Sequence, residues 1–578
     1  MHFFERTVGG RSYHIAAQAV WDATKGQSYS RQVVLGPAGP APTVDLSSVR
    51  TAGTRRIGDV GALVWVAEQL DLVAVINRSC RAAVGGPQAV SLGEMVLAVA
   101  VQRACCPGAK CELADFLDGS IPRVSCLPGK AFTGQVFHRL AATVDDADLE
   151  RAQVELARAV VERFKLTTDV LAFDTTNFDT HIASTTAGTL ARRGHAKSKR
   201  SDLRVVGLGM LVSETGHVPL LYRTYAGNGS DQEVLARCLS GLGELHDALD
   251  EGEHRKRAAS RTVVRDGGSW SEELELGLEF DAGFYSLISL PLSHSASERA
   301  LVAAAKRGAM KPLGGALAGV RAARMRDQVG VLDRTLVVVE SEELLKGQKR
   351  GIAAALRKAR VALRALERRE GKRALKRDAL ERQIAAILRR EHLRDFVEIE
   401  YGGTEAAATF RWRVDAAKRL KLERTRLGRR VLCTDQHEWK TERVVQAFRG
   451  QWNVEELFRR AKKGGVVPWG PSFQWADPSL RLHTFATVVG LMLVSLVRLA
   501  LGARLSARGT MKSLAQVEAT LVRTTGSGRG RRPTTLLLPD LTADQAKAAK
   551  MFELNRWAPG ILSTSAVPRR KAGKKGVS

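Results

Sequence analysis

Val170-Leu171-Ala172-Phe173-Asp174-Thr175-Thr176 is a short apolar run ending in a carboxylate, and the fold is read outward from it. Two further strand-like segments come next, at Leu203 to Val212 and Val218 to Tyr225. Ser230-Asp231-Gln232-Glu233 then opens an amphipathic helix through about Leu249, its Ser and Glu spaced as a capping box requires. Thr262-Val263-Val264 reads as a fourth strand ending near Asp266, and Phe284 to Leu290 as a fifth. Strands in a row, a helix and strands again predict an α/β fold, with acidic residues at two strand ends.

The regions on either side have a different texture. Residues 1 to about 50 alternate short apolar runs with turn residues, a β-rich start, and Val60 to about Phe164 turns helical. Together they predict a separate, mostly helical N-terminal domain over 1–165. Residues 346 to 394 hold 17 Lys plus Arg against 5 Asp plus Glu, close to half of the chain's whole basic excess. Within that stretch Ile352, Leu356, Ala359, Leu363 and Leu366 recur at helical spacing, Gly371 interrupts, and Leu380, Ile384 and Ile387 resume, which predicts a packed helical hairpin. DNA contact and a merely solvated arginine-rich face are equally open readings of it. β-like stretches come after it, around Ala407 to Val414 and Arg430 to Thr434. A helix is then expected from about Thr441 to Lys463, with Phe448, Gln451, Glu455, Arg459 and Lys462 along one face. From Arg529 on, the chain is basic, rich in Gly and Pro, and expected to be mobile.

The chain has 578 residues, 44% hydrophobic and 26% charged, which excludes a single small module and wholesale disorder. Its 89 Lys plus Arg against 61 Asp plus Glu leave +28. Such an excess calls for a polyanionic partner, nucleic acid first and an anionic membrane surface second. The opening Met1-His2-Phe3-Phe4-Glu5-Arg6 does not read as a secretory signal, so a cytoplasmic location is expected. The longest apolar run, Phe485 to Val497, is cut by Arg498 short of the roughly 18 residues a spanning helix needs, and reads as a core helix. Seven cysteines without a repeated C-x-x-C pair predict reduced thiols. Four of them, from Cys105 to Cys126, could hold zinc, but buried apolar thiols are the favoured reading.

Asp174, Asp266 and Glu455 are two carboxylates at strand ends and one on a later helix. Phosphodiester chemistry needs charge neutralised on phosphorus and both the attacking and leaving oxygens stabilised, which two Mg²⁺ about 3.5 to 4 Å apart supply. Hard cations take oxygen ligands, and carboxylates fit. Lys197, Lys199, Arg200 and Arg204 could hold phosphates nearby, against a plain solvated hairpin. For Arg459 and Lys462 the alternatives are DNA contact and, for Arg459, an i,i+4 pair with Glu455. His195 and His483 have no metal-ligand partner at recognisable spacing, so a structural role is expected of both.

Val170 to Thr176, with Gly194-His195-Ala196-Lys197-Ser198-Lys199-Arg200-Ser201-Asp202-Leu203 and Gly227-Asn228-Gly229-Ser230-Asp231 after it, resembles the opening of the ribonuclease-H-like core of bacterial insertion-sequence transposases of the DDE class. Thr262-Val263-Val264-Arg265-Asp266-Gly267-Gly268 resembles their second-Asp strand. The signature of the subgroup with a β-rich insertion before the catalytic Glu is Tyr, two residues, Arg, three residues, Glu, six residues, Lys. Phe448, Gln451, Glu455 and Lys462 keep that spacing. Phe448 lacks the phenol and Gln451 the guanidinium, while Glu456 becomes the alternative ligand if the register slips by one. Asp174 to Asp266 is 92 positions and Asp266 to Glu455 is 189, which leaves room for an insertion.

The resemblance, which covers roughly 166 to 500 in pieces, implies a ribonuclease-H-like mixed-sheet core interrupted by an insertion domain. The parts would be an N-terminal domain over 1–165, core over 166–291, insertion with the basic hairpin over 292–430, core again over 431–505 and a basic C-terminal region over 506–578. It implies a metal-dependent transposase that cuts an element's ends and joins the freed 3′-hydroxyls to target DNA. Asp174, Asp266 and Glu455 would bind two Mg²⁺, with Mn²⁺ as a substitute. Lys197, Lys199, Arg200, Arg459 and Lys462 would contact DNA. Trp412 would stack on a flipped base, with Trp270 as its rival and burial in the core as the bland reading. Partners would be terminal inverted repeats, target DNA and a second copy of the chain. The alternatives are an inactive DNA-binding derivative and a metal nuclease without strand transfer.

Overall fold

The structure, a computed structural model, describes residues 1–22, 26–38, 49–80, 89–183, 185–194, 196–229, 231–250, 261–306, 308–370, 375–390, 392–472, 474–524, 534–557 and 562–563. The chain divides into two compact units, Met1–Arg261 with Gln451–Ser578, and Thr262–Gly450.

In the first unit the strands Val170–Thr180, Arg204–Ser213 and Pro219–Ala226 form an antiparallel meander in which Asp174 lies opposite Met210 and Val206 opposite Ala226. The helix Asp231–Asp250 comes next. The second and third strands and this helix stand where the sequence pattern places them, whereas the first runs on to Thr180, so that Asp174 lies within the strand and not at its end. Val205 to Ser213 is buried residue by residue, because helices including Asp146–Phe164 and Asp231–Asp250 pack on the meander.

The N-terminal region has its β-rich start, a meander of His2–Val8, Arg11–Asp22 and Gln27–Pro37. Contrary to the expectation, this region is not a domain separate from the rest of its unit. The helix Leu92–Cys105 is buried from Leu92 through Ala104. A helix buried along its whole length has cover on every side, and Asp477–Ala500 packs against it. The strand Val49–Arg56 likewise pairs with Glu518–Thr524. The expected boundary at residue 165 therefore has no counterpart in the packing.

Asp477–Ala500 is the one helix among the described residues long and apolar enough to cross a membrane, and 94% of its apolar stretch is buried inside the protein, as a core helix requires. Beyond it, where a mobile tail is expected, Thr534–Leu538 is a strand and Ala543–Met551 a helix, the latter opened by a Thr542/Gln545 capping box. Residues 525–533 and 564–578 lie outside the described residues.

His483, on the long helix, is buried and structural. Its Nδ1 accepts from the Lys110 ammonium at 2.7 Å, and its Nε2 donates to the Trp469 carbonyl at 2.8 Å. Burial, with the Arg103 guanidinium nearby, pushes the Lys110 ammonium down to about 7. A folded value below the unfolded one means that the unfolded chain binds more protons between about pH 7 and 10.5; stability from this group therefore rises with pH across that window and is lowest below it. Lys110→Met is expected to flatten the rise in thermal midpoint between about pH 7 and 10, and to stabilise most near pH 6. An unchanged pH profile would refute the assignment.

The second unit is built on a mixed sheet, Lys311–Pro312, Val320–Val329, Leu332–Ser341, Arg429–Thr434, Tyr285–Leu290 and Thr262–Arg265 in spatial order. Its ladders are antiparallel except the one between Thr262–Arg265 and Tyr285–Leu290. The expected boundary at 291/292 cuts across this sheet, since Val320–Val329 and Leu332–Ser341 extend it. The basic hairpin is present as Glu342–Glu370 and Arg377–Ile387. Ile352, Leu356, Ala359, Leu363, Leu366, Leu380 and Ile384 form its core, with Phe396 and Phe410; Ile387 packs at the margin, and Gly371 lies outside the described residues.

Candidate active site

Asp174 sits half-buried on the strand Val170–Thr180, its Oδ1 accepting the Thr175 N–H at 2.7 Å. The helix Gln451–Ala461 packs on that strand. Gln451, itself buried, donates from Nε2 to the Phe173 carbonyl at 3.0 Å, one residue before Asp174. Position 451 thus acts inward, as a tie between helix and strand. Glu455 lies one helical turn further on, exposed, with no ion pair or side-chain hydrogen bond among the described residues.

Its neighbour Glu456 is engaged, 3.0 Å from Arg459 and 3.4 Å from Arg460. Arg459 therefore pairs with Glu456 and not with Glu455, and its guanidinium also lies 5.2 Å from the centre of the Trp452 ring. The single expected helix is two. Thr441–Arg449 ends at Gly450, whose N–H tightens onto Ala447 and Phe448, and Gln451–Ala461 begins anew. Glycine is a poor helix former, and the break falls on it. Phe448 belongs to the earlier helix, buried, with Arg430 over its ring at 5.8 Å.

A basic loop is fastened beside Asp174. The Lys197 ammonium donates to the Thr175 carbonyl, the Lys197 N–H donates to Asn177 Oδ1 at 2.9 Å, and the Ser198 hydroxyl donates to Asp179 Oδ1 at 2.8 Å. Lys462, just past the end of the glutamate helix, feels the same group. Partial desolvation and the Lys197 charge hold its ammonium below the ordinary value, against the opposing pull of Asp174 and Asp179. Asp174, Asp179, Lys197 and Lys462 thus share one electrostatic neighbourhood.

Asp179 is absent from the sequence reading. Lys199 is exposed at a left-handed φ of 64°. Arg200 is exposed and held by Asp202 through contacts of 2.7 and 2.5 Å, and Arg204 donates to the Thr186 carbonyl at 2.9 Å. His195 lies outside the described residues.

The glycines of the two loop motifs explain each other. A Cβ on Gly194 would stand 1.8 Å from the Gly227 carbonyl oxygen, and one on Gly227 would stand 2.2 Å from the Val205 carbonyl oxygen. Only hydrogen fits where these backbones cross. Gly194→Ala should cost about 1 to 3 kcal/mol by overpacking and loosen the Lys197 loop, read as a lower urea midpoint together with weaker DNA binding at low salt. A variant as stable as the parent would contradict this packing.

Asp266 is in the second unit, exposed, at the start of the one-turn helix Gly267–Ser269, with Oδ1 accepting the Gly267 N–H at 2.8 Å. Trp270 is half-buried and edge-on to His294, ring centres 4.7 Å apart. Trp412, in the strand Ala408–Val414, packs against the hairpin core.

All seven cysteines are free thiols. Among the described residues, no group of three His, Cys, Asp or Glu side chains stands ready to hold an ion. The donor chemistry nonetheless suits a hard divalent cation, because Asp174 and Glu455 are carboxylates on packed elements and Glu455 carries no competing ion pair among the described residues.

No family model and no curated protein matches the chain. Among solved structures, a piggyBac transposase synaptic complex with hairpin DNA matches at 11% identity and a TM-score of 0.34, covering 79% of this chain and 78% of that one. So distant a likeness establishes no activity for this chain.

Proposed function

We propose that the protein is a DNA transposase with a ribonuclease-H-like core, which cuts the ends of a mobile element and joins the freed 3′-hydroxyls to target DNA. The observation that carries the reading is local. A helix bearing a solvent-facing, uncommitted Glu455 is tied by Gln451 to the strand of Asp174, at the spacing of the transposase signature, with Lys197 and Lys462 beside that aspartate. Asp174, Asp266 and Glu455 would hold two Mg²⁺, or Mn²⁺ in their place. When bound, such ions supply charge neutralisation at phosphorus and a nucleophilic oxygen at neutral pH.

The chain's own residues divide the remaining work. Lys197 and Lys462 offset the negative charge that a phosphate would bring next to Asp174. Gln451 fixes the helix so that Glu455 projects on the side of the strand. Lys199, Arg200 and Arg459 lie on exposed positions from which they would reach the sugar-phosphate backbone, Arg200 after exchanging Asp202 for phosphate. The working assembly would be two copies of the chain, one on each inverted repeat.

The decisive experiment incubates the purified protein with duplex carrying the element's inverted repeats, plus Mg²⁺ or Mn²⁺, and resolves nicked and joined products. Cutting with joining supports transposition, and cutting alone supports a nuclease. Binding with neither under any condition identifies a DNA-binding derivative, a reading that the inward-turned Gln451 and the missing phenol at Phe448 favour.

A further inference from the structure

We propose that the solvent face of the helix Glu342–Glu370 is a docking strip for the backbone of duplex DNA, distinct from the residues that surround Asp174. The choice of DNA as the occupant rests on the transposase reading; the strip itself rests on its pattern of charge.

Lys346, Arg350, Arg357, Arg360, Arg364 and Arg368 are all exposed. At 100° per residue they fall within an arc of about 80°, and at 1.5 Å per residue they extend over about 33 Å. The opposite side of the helix, through Ile352, Leu356, Ala359, Leu363 and Leu366, is buried in the hairpin core. The orientation is therefore set by packing, and the arginines have only solvent to face.

Several bases of the hairpin and its neighbours are paired: Arg377 with Glu381 at 2.7 Å, Lys349 with Glu423 at 2.8 Å, and Arg413 and Lys418 both with Glu398 at 2.6 Å. Lys346 has Glu342 at 3.4 Å. Among the described residues, none of the five arginines of the strip is in an ion pair. They stand three, four or seven apart, and like charges at i,i+4 repel by a few tenths of a kcal/mol each. A row of such repulsions along a helix in water is a cost without a structural return. A polyanion laid along it removes the cost.

The geometry selects among polyanions. One turn of B-DNA is about 34 Å, close to the length of the strip, and a straight helix presents its charges as a line, which suits a rigid rod. A membrane surface fits poorly, because an interfacial helix needs an apolar face free to enter lipid, and here that face is occupied by the hairpin core. Val361 is the one large apolar side chain exposed on this helix among the described residues.

The test measures binding of the full chain to a fluorescein-labelled duplex of about 24 base pairs between about 50 and 300 mM KCl. The quadruple variant carrying Arg350→Gln, Arg357→Gln, Arg360→Gln and Arg364→Gln should bind more weakly, with the slope of log K against log salt reduced by about 3 to 4, near 0.9 per lost phosphate contact. The corresponding quadruple Arg→Lys variant should keep most of the slope, because a backbone contact needs the charge. The helix tolerates these exposed changes, so the thermal midpoint of the Gln variant should match or exceed the parent's. An unchanged slope in the Gln variant overturns the proposal. So does a loss confined to phosphatidylserine vesicles, with DNA binding intact. A chain that never cuts DNA yet shows the slope difference keeps the strip and removes only the catalytic reading. Intact cutting with an unchanged slope removes the strip alone.

Discussion

Asp174→Asn is expected to lower the rate of DNA-end cutting by about a thousandfold or more while leaving salt-sensitive DNA binding nearly intact. Metal-assisted stabilisation of a phosphoryl-transfer transition state is worth several kcal/mol, and each 1.36 kcal/mol is about a factor of ten in rate. The substitution removes a charge but keeps the side chain's size. Asp174 is half-buried and its Oδ1 accepts the N–H of Thr175, a contact that an amide oxygen preserves. Binding should persist because the cations that draw DNA, Lys197 and Lys462 among them, remain. Single-turnover cutting and a filter-binding titration on one preparation test both halves. Loss of both would mark Asp174 as a scaffold residue. Glu455→Gln should behave alike, whereas Glu456→Gln, which releases Arg459 and Arg460, should cost far less in rate. A larger effect at Glu456 would shift the ligand assignment by one residue.

Glu275→Gln should cost about 3 to 5 kcal/mol of stability, the range for removing one partner of a buried ion pair. Arg265 is fully buried one residue before Asp266, and its guanidinium donates to the Glu275 carboxylate and to the Ser286 hydroxyl, the latter at 3.1 Å. Glu275 is also 4.0 Å from Arg334, which has Glu279 at 2.8 Å as a second partner. Neutralising Glu275 takes from the buried Arg265 charge the carboxylate that its guanidinium bonds. Replacing both by apolar residues, Arg265→Met with Glu275→Leu, should recover most of the loss, since Arg334 keeps Glu279. Urea denaturation of the three variants checks this; a double variant no better than Glu275→Gln would show that the pair is not the source. Because the Arg265 backbone carries Asp266, the single variant should also cut more slowly under native conditions.

Several elements were legible without any structure, and for one reason. Strands, capped helices and the basic hairpin are written in short-range alternation of apolar and polar residues, so the first half of Val170–Thr180, most of Arg204–Ser213, Thr262–Arg265 and the apolar seam from Ile352 to Ile384 could be read directly. Glu455 stood out because Phe448, Gln451, Glu455 and Lys462 resemble a transposase signature in their spacing. Other features depend on what meets across hundreds of residues. The inward turn of Gln451 toward Phe173, the engagement of Glu456 by two arginines, and the seating of Lys197 on the Thr175 carbonyl have no local signature, because a polar side chain reads the same whether it faces water or a distant backbone.

The domain plan shows the same division. Val60 to about Phe164 was readable as helical, but only packing shows that Asp477–Ala500 covers the helix Leu92–Cys105, so that the first 165 residues and the later part of the chain share a core. Sequence alone determined which segments are helix or strand and where charge and carboxylates are concentrated, since these follow from each residue's own conformational and solvation preferences. Tertiary structure alone decided which acids stay uncommitted and which glycines must lack a Cβ. Those outcomes depend on neighbours brought close by burial of apolar faces, and a linear pattern does not encode which faces will meet.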